Sequence, residues 1–93
     1  MQRELKIARG ETLAVIIRAQ GSEYYNGKAS AVTSLNMKGP FDILPKHTHF
    51  ISLIKKSLTI HKVDGTKTEI AFSNAVLKVK DNIVEVYIGL SNK

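Results

Sequence analysis

Two histidines separated by one residue, His47 and His49, come closest to a chemical site in type and spacing. On an extended strand this spacing places both imidazoles on one face. A metal ion would need further ligands, and Asp42 and His61 are the only nearby candidates. We favour the interpretation that both histidines hydrogen-bond within a tight loop. No metal and no cofactor are therefore expected.

The hydroxyl and acidic residues do not form a recognisable catalytic set. None of the serines has the Gly-x-Ser-x-Gly setting of a hydrolase nucleophile. Asp64 and Asp81 are explained by turn chemistry, and the glycines occur singly instead of forming a loop that could cradle phosphate. We therefore predict that the chain has no catalytic residues of its own.

The histidines belong to a stretch, residues 39–53, that contains both prolines of the chain. Proline fixes its own φ, removes a backbone donor and pushes the preceding residue towards extended geometry. Residues 41–44 are therefore predicted to be a short extended piece that Pro45 closes. After a tight loop, residues 50–54 resume an apolar strand. A bend this apolar must be covered by the rest of the chain.

The remaining sequence consists of β-rich runs separated by turn signals. Residues 13–18 are almost continuously apolar and predict a buried strand. Tight turns are predicted at Gln20-Gly21-Ser22, Asn26-Gly27, Asp64-Gly65 and Asp81-Asn82. No stretch after Thr12 has helical periodicity, so the pattern predicts an all-β fold, a single antiparallel β-sandwich of about 8–10 short strands. The residues expected in its core are Ile16, Phe41, Ile43, Phe50, Ile54, Ile60, Phe72, Leu77 and Val86.

The composition is that of a single small domain. The chain has 93 residues, with residues 1–12 expected to be a leader that is helical, extended or disordered and residues 13–93 the sandwich domain. It contains no cysteine, so disulfides and thiolate metal sites play no part. No apolar run approaches the roughly 20 residues that a membrane-spanning helix needs. The amino terminus also lacks an apolar signal core, so we expect a soluble cytoplasmic protein.

A net charge of +6 raises the alternative of an anionic partner. A free-standing basic β-sandwich could bind nucleic acid or another anionic molecule. The lysines, however, are spread along the chain and many fall at alternate strand positions, where the outward face is polar in any case. We favour a solvated surface and expect no specific nucleic-acid partner.

The central stretch carries a resemblance to a known family. Residues 39–47 read Gly-Pro-Phe-Asp-Ile-Leu-Pro-Lys-His, which aligns without a gap to a Gly-Glu-Leu-Gly-Ile-Leu-Pro-Gly-His pattern. That pattern belongs to the amino-terminal β-sandwich domain of the F-type ATP synthase epsilon subunit, called delta in mitochondria. Upstream, residues 24–27 resemble the family's aromatic-x-Gly turn, and downstream residues 74–79 resemble its Gly-Gly-x-Leu-Glu-Val segment. The resemblance covers residues 13–89.

This resemblance implies a non-catalytic rotor component in the central stalk of an F-type ATP synthase. It would bind the gamma subunit and the c ring, couple proton flow to ATP synthesis, and lie on the cytoplasmic side, peripheral to the membrane. The resemblance places Pro40, Lys46 and His47 in loops that face the ring. Typical epsilon subunits continue into a two-helix hairpin that this sequence, ending at Lys93, does not contain. We therefore expect it to join the rotor without inhibiting ATP hydrolysis.

The sequence departs from the family pattern at several positions, among them the Asn74-Ala75 pair in place of Gly-Gly. Asp42 and Lys46 each replace a glycine, and Pro40 stands where a glutamate often approaches the ring. If either glycine position requires a positive φ, its replacement adopts that conformation at a cost of about 1 kcal/mol or more. Aspartate tolerates the conformation better than lysine does.

Overall fold

The computed structural model describes residues 12–46 and 49–89, which form strands and the turns between them. The strands are β1 (Leu13–Ala19), β2 (Ser22–Ala29), β3 (Ala31–Asn36), β4 (Gly39–Ile43), β5 (Phe50–His61), β6 (Lys67–Lys80) and β7 (Ile83–Ile88). They join into one sheet in the order β2-β1-β7-β6-β5-β3-β4. No residue in the described ranges is helical, so these ranges contain no helix suited to crossing a membrane.

The all-β sandwich prediction is confirmed, with two corrections. One neighbouring pair, β1 and β7, is parallel, so the expectation of a purely antiparallel sheet is wrong. The reason is non-local: the β1–β2 and β6–β7 hairpins meet edge to edge, and no short turn links the two strands that touch. The described residues form seven strands instead of 8–10 because β5 and β6 are long, with 12 and 14 residues.

A β-bulge near the middle of β5 and β6 lets the sheet fold onto itself. Lys55 is opposite Asn74 and Lys56 is opposite Phe72, which leaves Ser73 as the extra residue. A bulge of this kind bends the strand and increases its twist. The first half of β5 therefore lies with β6, β7, β1 and β2, whereas the second half lies between β6 and β3. Lys56 reaches this bend with a φ of 72°.

All seven strands contribute side chains to a single hydrophobic core. Its buried members are Leu13, Val15, Ile17, Ala29, Val32, Ile43, Ile54, Leu58, Ile60, Ala75, Leu77, Val79, Val84 and Val86. One continuous core made by one sheet requires that the sheet's apolar face close on itself. Five of the expected core residues are confirmed as buried: Ile43, Ile54, Ile60, Leu77 and Val86.

The other expected core residues are less central. Phe41, Phe50 and Phe72 are half-buried and pack against the core from its margin. The rings of Phe41 and Phe50 meet edge to face, with centroids 5.6 Å apart. The assignment of Ile16 to the core is wrong, because β1 alternates and it is Val15 and Ile17 that point inward.

Three of the four predicted tight turns are confirmed and one is wrong. Gly65 has a φ of 93°, and Asp81-Asn82 joins β6 to β7 with φ values of 50° and 63°.

Asn26-Gly27 lies inside β2, opposite Ile16 and Val15. The predicted turn at Gln20-Gly21 is confirmed and closes the β1–β2 hairpin, so the second signal in the same hairpin is not used. Gly27 instead allows the Tyr25 ring to lie close, since an added Cβ would come within 2.9 Å of the tyrosine oxygen.

The β5–β6 turn is stabilised by a local carboxylate interaction. The hydroxyl and the backbone N–H of Thr66 both donate to Asp64 Oδ1, at 2.6 and 2.9 Å. These two hydrogen bonds favour the charged carboxylate and lower the pKa of Asp64 below its usual value.

Candidate partner-binding face

The outward face of one half of the sheet carries an exposed apolar row. Leu53 on β5 is opposite Val76 on β6, and Val76 is opposite Tyr87 on β7. Their exposed fractions are 69%, 38% and 41%, so all three side chains point away from the core. We call these three residues the apolar row. Directly opposed side chains on one face of a sheet touch one another, so the row forms a continuous surface.

Ile51 extends this surface along β5. It lies two residues before Leu53, on the same face, and is 70% exposed. Single exposed apolar side chains are ordinary in soluble proteins, whereas adjacent ones in cross-strand register indicate a contact surface. Aromatic residues such as Tyr87 are also enriched at the centres of protein interfaces.

Charged residues border the apolar row. Arg18 on β1 is opposite Tyr87, and Lys78 is opposite Ile51. Lys78 Nζ lies 3.9 Å from Glu85 Oε1 on the neighbouring strand. An apolar centre with a polar margin is the usual anatomy of a protein–protein interface.

The residues that the resemblance places towards the ring lie at different ends of β4. Pro40 is exposed near the start of β4, beside the β3–β4 turn, and is opposite Leu35. Lys46 follows the other end of the strand, in the loop that leads to β5. His47 lies outside the described residues. Pro40 and Lys46 are therefore separated by the length of β4 and do not form one cluster along this strand.

The loop containing Lys46 is attached to the β6–β7 turn. The Lys46 backbone N–H donates to Asn82 Oδ1 at 2.6 Å. The carbonyl oxygen of Asn82 accepts a hydrogen bond from the backbone N–H of Ala14 at 2.9 Å. Asn82 therefore links the loop, the turn and the start of β1. His49 adds a contact to the same turn, with Nε2 3.7 Å from Asp81 Oδ1.

The remaining metal-ligand candidates are placed apart from one another. His49 is beside Asp81, whereas His61 lies beside Thr33 on the opposite half of the sheet. In the described ranges, no three histidine, cysteine or acidic side chains are grouped so that they could hold a metal ion. Of the hypothetical ligand set of His47, His49, Asp42 and His61, His47 lies outside those ranges.

A short hydrogen-bonded chain lies at the edge of a groove of about 340 Å³ beneath the β5–β6 turn. The Thr33 hydroxyl donates to Asp42 Oδ1 at 2.8 Å and is also 2.8 Å from His61 Nε2. Since the hydroxyl has only one proton, Nε2 is the donor to Thr33 Oγ1. The threonine stands between the imidazole and the carboxylate, which is not the order that activates a nucleophile. This run of hydrogen bonds links the three neighbouring strands β4, β3 and β5 and does not form a catalytic constellation.

The sequence of the whole sheet region matches one family model. Residues 12–89 match the model of the ATP synthase delta/epsilon chain β-sandwich domain. This chain belongs to that family. The match covers all seven strands of the structure and includes the apolar row.

Curated relatives agree with the family assignment. The chain is 34% identical over 68 residues to an ATP synthase epsilon chain of Clostridium botulinum, a match that covers 72% of this chain and 51% of the relative. It is 30% identical over 76 residues to the ATP synthase epsilon chain of Psychrobacter cryohalolentis, covering 81% of this chain and 55% of the relative. The chain thus spans about half the length of the curated relatives it matches.

Solved structures show the same fold at lower sequence identity. A chain of the Euglena gracilis mitochondrial ATP synthase, in a structure of its OSCP/F1/c-ring, matches with a TM-score of 0.78 and 16% identity. That match covers 84% of this chain and 51% of the other. A chain from the central stalk and c-ring of the Tetrahymena thermophila mitochondrial ATP synthase matches with a TM-score of 0.67 and 19% identity, covering 82% and 62%. At these identities the similarity establishes the fold of the epsilon-like domain.

Sequence reasoning identified the central stretch but missed the apolar row. The available signal was in residues 50–54, where the odd positions Ile51 and Leu53 are as apolar as the even ones. A strand that is apolar on both faces is normally covered on both faces. Within the described residues the even-numbered positions Phe50, Ser52 and Ile54 face the core, whereas Ile51 and Leu53 are exposed.

Proposed function

We propose that this epsilon-like domain is a non-catalytic component of the central rotor of an F-type ATP synthase, where it binds the gamma subunit through the apolar row. As part of the rotor it would help to couple proton flow to ATP synthesis. The family membership supports the complex, and the exposed register of Leu53, Val76 and Tyr87 is the observation that supports the binding face. The cytoplasmic side of the membrane, with attachment through the complex alone, is part of this proposal.

The contact with the c ring is a separate part of the proposal. Pro40, Lys46 and His47 remain the candidate ring-facing residues by resemblance. Pro40 and Lys46 are both exposed, and they flank β4 from its two ends. A ring contact that used both would therefore run along β4, from the β3–β4 turn to the loop that is hydrogen-bonded to the β6–β7 turn.

Co-purification with the gamma subunit of the same organism tests the binding face. We expect the wild-type chain to elute with gamma in a one-to-one complex. Leu53→Lys should weaken that complex on the order of tenfold or more, because it places a charge at the centre of an apolar contact. Val63→Lys is the matched control, since Val63 is 59% exposed but lies beside the β5–β6 turn, outside the row.

Two outcomes would contradict the proposal in different ways. A wild-type chain that does not bind gamma in this assay defeats the rotor assignment. Equal gamma affinity for Leu53→Lys and Val63→Lys defeats the choice of face and leaves the assignment to the complex intact.

A further inference from the structure

The first half of β5 is an open edge of the sheet. Residues 58–61 of β5 are flanked by β6 on one side and by β3 on the other. Residues 51–55 pair with β6 only, and no other strand of the described ranges is paired with them. An edge of this kind presents backbone N–H and C=O groups to any extended segment that approaches it.

Residues 51–54 of this edge lack the proline and the charge that normally protect an edge strand. Natural edges are protected by proline, by charge or by shortness. The outer strand β4 has five residues and contains Pro40, and the outer strand β2 carries Glu23 and Lys28. Residues 51–54 are Ile-Ser-Leu-Ile, without proline or charge. Ser52 is the one polar side chain in this run. Its hydroxyl donates to the Leu53 carbonyl oxygen at 3.1 Å and accepts from Asn36 Nδ2 of β3 at 3.2 Å.

The side chains along the edge specify the chemistry of the segment that would fit it. Ile51 and Leu53 are 70% and 69% exposed on the outward face, and they continue into the apolar row. Beyond them, Lys55 and Lys56 are both exposed at the bend. A complementary strand therefore carries apolar residues beside Ile51 and Leu53, and carboxylates beside the two lysines.

We propose that residues 51–55 pair with an extended, acidic-flanked apolar segment of the gamma-like partner, so that the sheet of this domain continues into the partner. Strand addition of this kind takes affinity from backbone hydrogen bonds and specificity from alternate side chains. The inference rests on the proposed function, since it names how the same partner is held. Its strand contact adjoins the apolar row, so a partner could engage both without a gap.

A second copy of this chain fits the edge poorly. Each copy has a net charge of +6, so two copies repel each other. In an antiparallel pairing centred on Leu53, Lys55 of each copy would lie beside Ile51 of the other. No carboxylate of residues 51–55 would then meet either lysine. Charge complementarity favours an acidic partner segment over self-pairing.

Backbone hydrogen exchange of this chain, with and without the purified gamma subunit of the same organism, tests the inference. Amides that point to the open edge exchange quickly in the free chain. We expect alternate amides within residues 51–55 to become protected when gamma binds. Lys55→Glu should weaken gamma binding on the order of tenfold. Lys67→Glu, the same charge change at an exposed position on β6, should bind like the wild type.

The possible results separate the inference from the proposed function. Gamma binding without protection in residues 51–55 overturns strand addition while the rotor assignment stands. No gamma binding overturns the rotor assignment itself. Concentration-dependent dimers of the free chain that protect the same amides would show that a second copy occupies the edge, which also overturns the inference.

Discussion

Lys46 adopts a backbone conformation that is unfavourable for a residue with a side chain, at a position where the family pattern has glycine. Asp42 and Lys46 each replace a family glycine, and one of these two positions requires a positive φ. Lys46 has a φ of 68°, whereas Asp42 is not among the positive-φ residues and lies in the regular strand β4. The conformation turns the Lys46 backbone N–H onto Asn82, and a side chain at this φ crowds the following carbonyl.

Restoring glycine at this position should therefore stabilise the fold. We expect Lys46→Gly to raise the free energy of unfolding by up to about 1 kcal/mol, measured by urea denaturation. Lys67→Gly is the matched control, because it introduces the same glycine into a strand without a positive φ. The control should lower the unfolding free energy by roughly 0.5–1 kcal/mol. A Lys46→Gly chain that is less stable than the wild type would contradict this prediction.

At the scale of the element, the two faces of β1 have different surroundings. The strand lies between β2 and β7, and its side chains alternate between the core and the outward face. The Ile17 side chain is only 1% exposed. Ile16 points to the opposite face of the strand, where it is in register with Glu85 of the charged margin. Of these two neighbouring isoleucines, only Ile17 is therefore packed in the core.

Truncating these two isoleucines separately measures the face assignment. Ile17→Ala should lower the free energy of unfolding by about 2–5 kcal/mol, the range for removing a buried aliphatic side chain. Ile16→Ala, which makes the same chemical change one residue earlier, should lower it by less than half as much. Equal losses in chemical denaturation, or a larger loss for Ile16→Ala, would show that β1 has the opposite register.

At the scale of the whole molecule, a net charge of +6 is combined with few exposed aromatic side chains in the described ranges. Phe41, Phe50 and Phe72 pack against the core. The exposed tyrosines, Tyr24 and Tyr87, lie on β2 and β7, with β1 between them. Single-strand binding usually needs several aromatic side chains along a basic groove.

The charge should therefore give only salt-sensitive, non-specific attraction to nucleic acid. We expect fluorescence anisotropy to show weak binding to single- and double-stranded oligonucleotides at low salt. This binding should disappear at about 0.15 M salt, because it depends on counterion release. Sub-micromolar affinity for a defined oligonucleotide at that salt concentration would favour the basic sandwich that binds an anionic partner.

The sequence by itself determined the features that depend on a few neighbouring residues. Asp64-Gly65 and Asp81-Asn82 predicted their turns because glycine, aspartate and asparagine tolerate the positive φ that Gly65, Asp81 and Asn82 adopt. The prolines and the apolar run after Pro45 located the crossing from β4 to β5. The spacing of the residue 39–47 motif identified the family before any contact was known.

Only the tertiary structure decided which face of each strand is covered. Residues 13–18 and 50–54 are apolar at both odd and even positions, so their sequences do not distinguish the inward face from the outward one. The inward face is set by the neighbouring strands, and those neighbours are separated from them by up to seventy or so residues, as in the parallel pair of β1 and β7. Strand pairing also placed Asn26-Gly27 inside β2, in the hairpin that Gln20-Gly21 closes, and Leu53, Val76 and Tyr87 in one exposed row. Local preference specifies where a chain can turn, whereas the partners that the strands find specify what is buried and what remains to bind another molecule.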